Sequence, residues 1–322
     1  MSNSLVIARK EFKDILHSGI FLTVLLLLLA LTATSVIVSS FVFKSQVDSY
    51  QSSLHILKEL GKQPGGPQPE LFPLNLLRGV IDYLEIVGAI LGILLGSLTI
   101  AREKNTQTLK LILTRPVSRK DLLFGKMLGN AVFIGIVLVF VGSFALLSLV
   151  FVAGAALTLT EAAKLLLVLA ISWIYIMAFF SLAAFLFLSM RSLSNALIVA
   201  FTIWMVFVLI LPQIGDTMDP DNQVPGGFFN SIYFNKEQEK QVLAKFSSYE
   251  TARNFIEELS VTKNYERTVF ALLGIKPEFN GMQVPDILGQ KLFDILVVML
   301  FFAAGILADY SVLNKKDILV WD

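Results

Sequence analysis

Long apolar blocks alternate with polar blocks along this chain. Six blocks are predominantly apolar, with lengths near or above the ~20 residues that an α-helix needs to cross a bilayer. We predict that these blocks are membrane-spanning helices; they cover residues 20–43, 80–101, 122–152, 162–188, 196–211 and 287–308. Proline interrupts helices, so Pro212 is expected to close the fifth span. The pattern predicts an all-α integral membrane protein with one transmembrane domain over residues 1–322.

The N-terminal segment 3–18 has a shorter, amphipathic pattern. Leu5, Phe12 and Ile15 recur at helical spacing, and Arg9 lies on the opposite face. This pattern predicts a helix that lies in the membrane interface. A charged leader to the first span is the alternative.

Basic residues set the orientation of the predicted spans. The connection 102–126 carries seven Lys and Arg against two acids. A short loop with such an excess is held on the cytoplasmic side of a membrane. With six spans, both termini are then cytoplasmic. The two long polar segments, 44–79 and 213–285, are predicted to be on the outer side.

The outer segments are expected to be partly helical. The Pro/Gly cluster QPGGPQPELFP breaks regular structure, so 44–79 is predicted to be an outer loop with a short helix around Ser52 to Leu60. In 213–285, Asn235 can cap one helix, and the S-x-x-E pattern that begins at Ser247 resembles the capping box of a second. Gly274 is the expected stop of the helical stripe that follows.

Three glycines recur at four-residue spacing in the second predicted span. Gly88, Gly92 and Gly96 therefore lie on one face of a helix. Such a face lets two helix backbones approach closely in a membrane, which predicts a helix-packing site. Incidental glycine enrichment in a membrane helix is the alternative.

Four ionisable residues lie in or beside the predicted spans. Asp82 and Glu85 are near the outer end of the second span, and Lys291 and Asp294 are at the start of the sixth. A position at the membrane interface explains each of them. A polar site within a transport path is the alternative.

Composition excludes several kinds of chemistry. The chain is 55% hydrophobic and 16% charged, and its net charge of +1 gives no electrostatic footprint for nucleic acid. It contains no cysteine, and neither His17 nor His55 has a second histidine nearby to form a metal pair. No phosphate-binding loop, zinc-protease motif or nucleophile elbow occurs in the sequence. We therefore predict no catalytic residue, no metal site and no cofactor in this chain.

The basic connection after the second span has a pattern of its own. Leu109, Ile112 and Leu113 share one face of a short helix. Pro116 ends that helix, because proline disfavours helix at the preceding residue. Ser118 can cap the next one. Residues 102–121 are thus predicted to form a short transverse helix between two spans; a solvated basic loop is the alternative.

These residues resemble the membrane subunits of type 2 ABC (ABC-2) transporters, in particular the permeases of the nitrous-oxide-reductase maturation and sodium-export branch. The family has a similar run of the form R-E-K-x-x-G-T-L-x-x-L-L-x-x-P-V-S-R, ending near G-K. Gln107 stands where glycine is usual. The matching positions are Arg102-Glu103-Lys104, Thr106, Thr108-Leu109, Leu113, Thr114-Arg115-Pro116-Val117-Ser118-Arg119 and Gly125-Lys126. The six-span plan and the amphipathic N-terminal segment are also similar.

The resemblance implies a permease subunit without ATPase activity. Two copies, or this chain and a homologue, would assemble with two ABC ATPase subunits that bind ATP and Mg²⁺. Residues 3–18 would be the elbow helix and 102–116 the coupling helix, in a prokaryotic cytoplasmic membrane. The implied ATPase-coupling residues are Arg102, Glu103, Lys104, Thr106, Thr108, Leu109, Leu113, Arg115 and Pro116. Export is the expected activity.

Two other functions remain open at this point. In the first, the ATPase cycle transmits force through a membrane scaffold to an extracytoplasmic partner, with the segment 213–285 as contact. In the second, an ion gradient drives a secondary transporter, which would call for inverted repeats and ionisable groups at the midplane. The sequence has no evident repeat.

Overall fold

Helices account for the regular structure of the part of the chain that the structure describes. The computed structural model describes residues 3–60, 73–106, 118–151, 158–224 and 228–314, and no strand occurs within those ranges. The helices are α1 (Asn3–His17), α2 (Ile20–Glu59), α3 (Arg78–Tyr83), α4 (Ala89–Asn105), α5 (Arg119–Phe151), α6 (Leu159–Ser189), α7 (Leu193–Trp204), α8 (Leu211–Met218), α9 (Phe228–Ser231), α10 (Lys236–Lys245), α11 (Ser247–Leu259), α12 (Val261–Leu273), α13 (Val284–Gln290) and α14 (Leu292–Asn314).

The described helices include six that are long and apolar enough to cross a membrane. They are Leu22–Val42, Leu74–Asn105, Arg119–Phe151, Leu159–Ser189, Leu193–Met218 and Leu292–Asn314. The predicted all-α membrane fold is therefore confirmed.

The chain divides into two compact units. The first consists of Met1–Gly88, Lys120–Trp173 and Thr268–Lys291. The second consists of Ala89–Arg119, Ile174–Arg267 and Leu292–Asp322.

The helix of the first span is longer than the span itself. The sequence predicts a separate short helix around Ser52 to Leu60, and these residues are helical up to Glu59, but as the continuation of α2 beyond Phe43. Residues 44–59 contain neither glycine nor proline, so nothing in the local sequence interrupts the helix. The Pro/Gly cluster at 64–73 lies almost wholly outside the described residues.

Three kinds of contact join helices within the first unit: a hydrogen bond from an indole, a cation–π contact and a close approach at a glycine. Trp173 in α6 donates its Nε1–H to the carbonyl oxygen of Ala131 in α5 at 2.8 Å. The Arg78 guanidinium lies 5.5 Å from the centre of the Phe270 ring, which is a cation–π distance. A Cβ at Gly79 would overlap Ser35 of α2, so this glycine permits the close contact between α2 and α3.

The second unit contains an aromatic core between α6 and α12. The rings of Tyr175 and Tyr265 stack with their centroids 4.3 Å apart, and both side chains are fully buried. The Tyr175 hydroxyl lies 3.0 Å from the Thr262 hydroxyl, which satisfies its polar end. This contact joins α12 to α6.

The fifth span passes through Pro212 instead of ending there. A π-helical segment, Met205–Ile210, comes directly before α8, and the N–H of Leu211 bonds to the carbonyl of Val206, five residues back. In that register the next partner of the Phe207 carbonyl would be the nitrogen of Pro212, which has no N–H. The prediction that Pro212 closes the span is wrong, because the wider turn accommodates the proline ring.

Ser260 satisfies the carbonyl that Pro212 leaves without a helix partner. Its hydroxyl donates to the Phe207 carbonyl oxygen at 2.6 Å. The Ser260 hydroxyl oxygen itself accepts the backbone N–H of Lys263 at 3.1 Å, which caps α12. Ser260 is fully buried. One serine thus joins the corner between α11 and α12 to the fifth span.

We expect Ser260→Ala to lower the free energy of unfolding by about 2 kcal/mol, because a buried carbonyl and a helix N-terminus both lose their partner. Thermal unfolding of the purified protein measures the loss. Ser311→Ala is the control, since the Ser311 hydroxyl donates to the Ala308 carbonyl within its own helix and so joins no second element. Equal loss in the two variants would contradict this role of Ser260.

The charged face of α11 lies against α8 in the same unit. A Cβ at Gly215 would lie 2.7 Å from Oε1 of Glu257, so a larger residue there would force that side chain to move. Lys263 bonds to Asp216 at 2.8 Å and to Glu266 at 2.7 Å. Burial lowers the pKa of Lys263, but these two carboxylates outweigh burial, and the net pKa lies above its ordinary value. The ammonium group therefore stays charged at neutral pH.

The ends of the remaining helices follow two of the three sequence predictions. Asn235 accepts the N–H of Gln238 at 2.9 Å, and the reciprocal bond completes a capping box. Gly274 has φ +65° and follows the last residue of α12, as predicted. The capping box predicted at Ser247 is wrong. Only Phe246 separates α10 from α11, so Ser247 is already the first helical residue.

Candidate coupling site

The C-terminal turn of α4 carries the first part of the basic connection. Arg102 is exposed, Glu103 is buried at 6% exposure, and Lys104 is half-buried. Thr106 ends the helix, with its hydroxyl donating to the Arg102 carbonyl at 2.8 Å. The other predicted coupling residues lie outside the described residues; they are Thr108, Leu109, Leu113, Arg115 and Pro116.

Lys104 bonds to the C-terminal end of α6. Its ammonium donates to the carbonyl oxygen of Met190 at 2.9 Å and to that of Leu188 at 3.3 Å. The last carbonyls of a helix have no partner within it, and a cation there also opposes the negative end of the helix dipole. Lys104 therefore caps the fourth span, whereas Arg102 beside it is free to face solvent or another protein.

Arg119 makes the equivalent contact on the other side of the connection. Its Nη1 donates to the carbonyl oxygen of Leu313 at 2.6 Å, at the C-terminal end of α14. The two basic residues that flank 107–117 thus each bond to the end of a different long helix in the second unit. The sequence identifies both as basic residues that set the topology, and the family resemblance also implies an ATPase-coupling role for Lys104. Neither predicts this capping role, because a backbone carbonyl has no sequence signature.

In the first unit, α1 packs closely on the beginning of α5. A Cβ at Gly125 would lie 2.7 Å from Cβ of Ile7, and one at Gly129 would lie 2.7 Å from the carbonyl oxygen of Ala8. These distances are shorter than any normal contact, so α1 can lie here only against glycine. Asp121, Gly125 and Gly129 recur every four residues, a signal in the sequence that could have revealed this face.

A buried ion pair fixes the same contact. Lys126 and Glu11 approach to 2.9 Å and are 4% and 7% exposed. Ser4 adds a hydrogen bond of 2.8 Å to Asp121. The Gly-Lys pair at 125–126 therefore has a physical role that the sequence alone did not reveal: the glycine admits α1 and the lysine pairs with it.

The arrangement of six long helices, an amphipathic N-terminal helix and a capped basic connection can be compared with known families. The chain matches the family model described as ABC-2 family transporter protein over residues 5–318. It belongs to the ABC-2 family. No curated protein matches the sequence. Family membership makes the chain the membrane permease subunit of an ABC transporter, a kind of subunit that is typically non-catalytic, and implies pairing with an ABC ATPase.

In this ABC-2 permease, two of the three spaced glycines lie against α6 within the second unit. A Cβ at Gly92 would overlap the carbonyl oxygen of Ile176, and one at Gly96 would overlap that of Phe180. Both obstacles are backbone atoms, which cannot rotate away. Gly88 is buried at the end of the π-helical segment Leu84–Gly88 in the first unit.

Two of the four ionisable residues singled out in the second and sixth spans are buried inside the permease, while Asp82 and Lys291 are partly exposed. Glu85 is 8% exposed and Asp294 is 7% exposed, so neither side chain faces the surrounding solvent or lipid. Lys291 lies 5.4 Å from the centre of the Phe279 ring. Asp309, which the sequence reading did not single out, is fully buried in α14.

Proposed function

We propose that this permease is the membrane half of an ATP-driven exporter in a prokaryotic cytoplasmic membrane. ATP and Mg²⁺ bind to two separate ATPase subunits, and two permease copies, or this chain and a homologue, form the pathway. Residues 102–121 receive the movement of the ATPase. The observation that best supports this proposal is the pair of caps that Lys104 and Arg119 place on α6 and α14.

The caps suggest how movement at one connection can reach several spans. Residues 102–121 join the second and third spans covalently. Through Lys104 they also hold the end of the fourth span, and through Arg119 the end of the sixth. A push on this region by the closing ATPase dimer therefore acts on four spans together. The docking of α1 on α5 through Glu11 and Lys126 makes the N-terminal helix follow the third span.

Arg102 is the described residue best placed to contact the ATPase, because it is exposed and its neighbour Lys104 is engaged in a cap. We expect Arg102→Glu to reduce transport-coupled ATP turnover at least about tenfold, as one charged contact contributes roughly 1.5–3 kcal/mol. The measurement is ATP hydrolysis by the complex reconstituted in nanodiscs.

Lys240→Glu is the matched control for this variant. Lys240 is exposed on α10, in the segment assigned to the outer side, and the substitution changes the net charge by the same amount. The control should leave turnover and the thermal unfolding midpoint unchanged. If both reversals reduce turnover equally, or neither does, the assignment of residues 102–121 to the ATPase interface fails.

A force-transmitting subunit is the second candidate. It is favoured by the link from Ser260 to the Phe207 carbonyl, which would carry movement of the fifth span to the α11–α12 corner of the segment 213–285. Transport by proteoliposomes containing only permease and ATPase would contradict it. ATP-dependent release or remodelling of an extracytoplasmic partner, without transport, would support it.

A further inference from the structure

We propose that Asp309 is a second docking position for the Arg119 guanidinium, one helical turn deeper along α14 than the carbonyl of Leu313. In this proposal, which rests on the proposed function, Arg119 moves between the two acceptors as the ATPase displaces the coupling region. Asp309 is then a positioning residue of the coupling mechanism.

The first observation is the environment of Asp309. Its side chain is 0% exposed, and neither carboxylate oxygen has a hydrogen-bond partner within the described residues. Burying a carboxylate without a partner is costly, and the cost falls when a cation reaches it. A position of this kind attracts the nearest mobile cation.

The second observation is the register of Arg119 on the same helix. Arg119 bonds to the carbonyl of Leu313 at 2.6 Å, and Leu313 lies four residues after Asp309. Residues four apart lie on the same side of a helix, separated by about one turn of 5.4 Å. Leu313 is itself 3% exposed, so both positions are on the buried side of α14. The two acceptors therefore lie about one turn apart on the buried side of α14.

The third observation is the chemistry of the two acceptors. A carbonyl offers a guanidinium one neutral oxygen, whereas a carboxylate offers two oxygens that can take a planar, charge-assisted pair of hydrogen bonds. Arg119 can therefore occupy two distinct positions, each with its own acceptor. Two such positions are required when one packed element shifts past another by one helical turn. Only Ser118 separates Arg119 from residues 107–117, so we expect displacement of that region to move it.

Lys104 provides an internal comparison. Its acceptors, the carbonyls of Leu188 and Met190, lie at and just beyond the end of α6, and the residues one turn deeper are Ala184 and Leu186. Neither can accept a hydrogen bond through its side chain. Lys104 is therefore expected to keep one position throughout the cycle, while Arg119 exchanges between two.

The test measures a distance in the complete complex of permease and ATPase subunits in nanodiscs. The chain has no cysteine, so Ser118→Cys and Leu307→Cys can be spin-labelled specifically. We expect the distance between these labels to change by about 5 Å, one helical turn, between the nucleotide-free and the nucleotide-trapped complex. Asp309→Asn should abolish that change, and Lys104→Gln should preserve it.

Two further readouts separate this role from a structural one. Because no described group pairs with the Asp309 carboxylate, we expect that Asp309→Asn, measured without nucleotide, leaves the distance between the labels unchanged. The unfolding midpoint should stay the same or rise. In ATP turnover, Arg119→Gln with Asp309→Asn should be no worse than the worse single variant, and Arg119→Lys should retain part of the response.

Several results would overturn the proposal. One is a nucleotide-dependent change in the distance between the labels that persists in Asp309→Asn. A second is an additive loss of ATP turnover in the double variant. A third is a clear drop in the unfolding midpoint of Asp309→Asn without nucleotide. A parent complex that transports with an unchanged distance overturns this proposal alone. A permease that binds no ATPase overturns the proposed function as well.

Discussion

Replacing Lys126 with methionine is expected to destabilise the permease by about 3–5 kcal/mol, since removing one partner of a buried ion pair leaves the other charge uncompensated. The partner is Glu11, which is 7% exposed and lies 2.9 Å from the lysine. Thermal unfolding of the purified protein measures the effect. Adding Glu11→Gln to Lys126→Met should restore part of the stability, because no buried charge then remains.

Lys10→Met is the matched control on the same N-terminal helix. Lys10 is exposed and its carboxylate partner, Asp14, lies 4.0 Å away and is also exposed. An exposed pair contributes about 0–1 kcal/mol, so this variant should unfold close to the parent. Similar losses in Lys126→Met and Lys10→Met would contradict the docking of α1 through a buried pair.

Introducing leucine at Gly96 is expected to prevent α4 from packing on α6. A Cβ there would overlap the Phe180 carbonyl oxygen and lie 3.0 Å from Cβ of Ala183, before any further side-chain atoms are added. Overpacking a tight core costs about 1–3 kcal/mol or more, and here the obstacle is backbone. We expect little monodisperse protein after detergent extraction and a clear drop in the unfolding midpoint.

Gly135→Leu controls for the general effect of leucine in a span. Gly135 lies in α5, and a Cβ there would meet nothing closer than Trp173 at 3.8 Å, an ordinary contact. Its yield and unfolding midpoint should stay near those of the parent. Equal behaviour of the two leucine variants would remove the argument that Gly96 sets the α4–α6 distance.

The membrane fold could be predicted because each span carries its own signal. A long apolar block predicts a membrane-spanning helix from its own residues, without information from the rest of the chain. The family motif that begins at Arg102 is likewise one continuous stretch of sequence. Local rules failed where a distant group changed the outcome. By local rules Pro212 predicts a helix end. The helix continues because Ser260, 48 residues later, donates a hydrogen bond to the Phe207 carbonyl, which lacks a helix partner at the proline.

The candidate site was predictable only in part, for a related reason. Lys104 and Arg119 are visible as basic residues, but their acceptors are main-chain carbonyls of Met190 and Leu313, which any residue could provide. Glu11 and Lys126 stand 115 positions apart, and no local pattern couples them. The coupling helix at 102–116 stays a prediction, since most of it lies outside the described residues.

The central claim is that a separate ATPase drives this permease through the connection after the second span. The absence of cysteine allows a direct test with one thiol placed at Thr106, which is exposed, and another at Tyr233, which is 94% exposed in the segment assigned to the outer side. A short bifunctional thiol reagent applied to the assembled complex should join Thr106→Cys to the ATPase subunit, with a yield that changes on adding ATP, and should not join Tyr233→Cys to it. An ATPase that copurifies but cross-links only through position 233, or equally through both, would contradict the account.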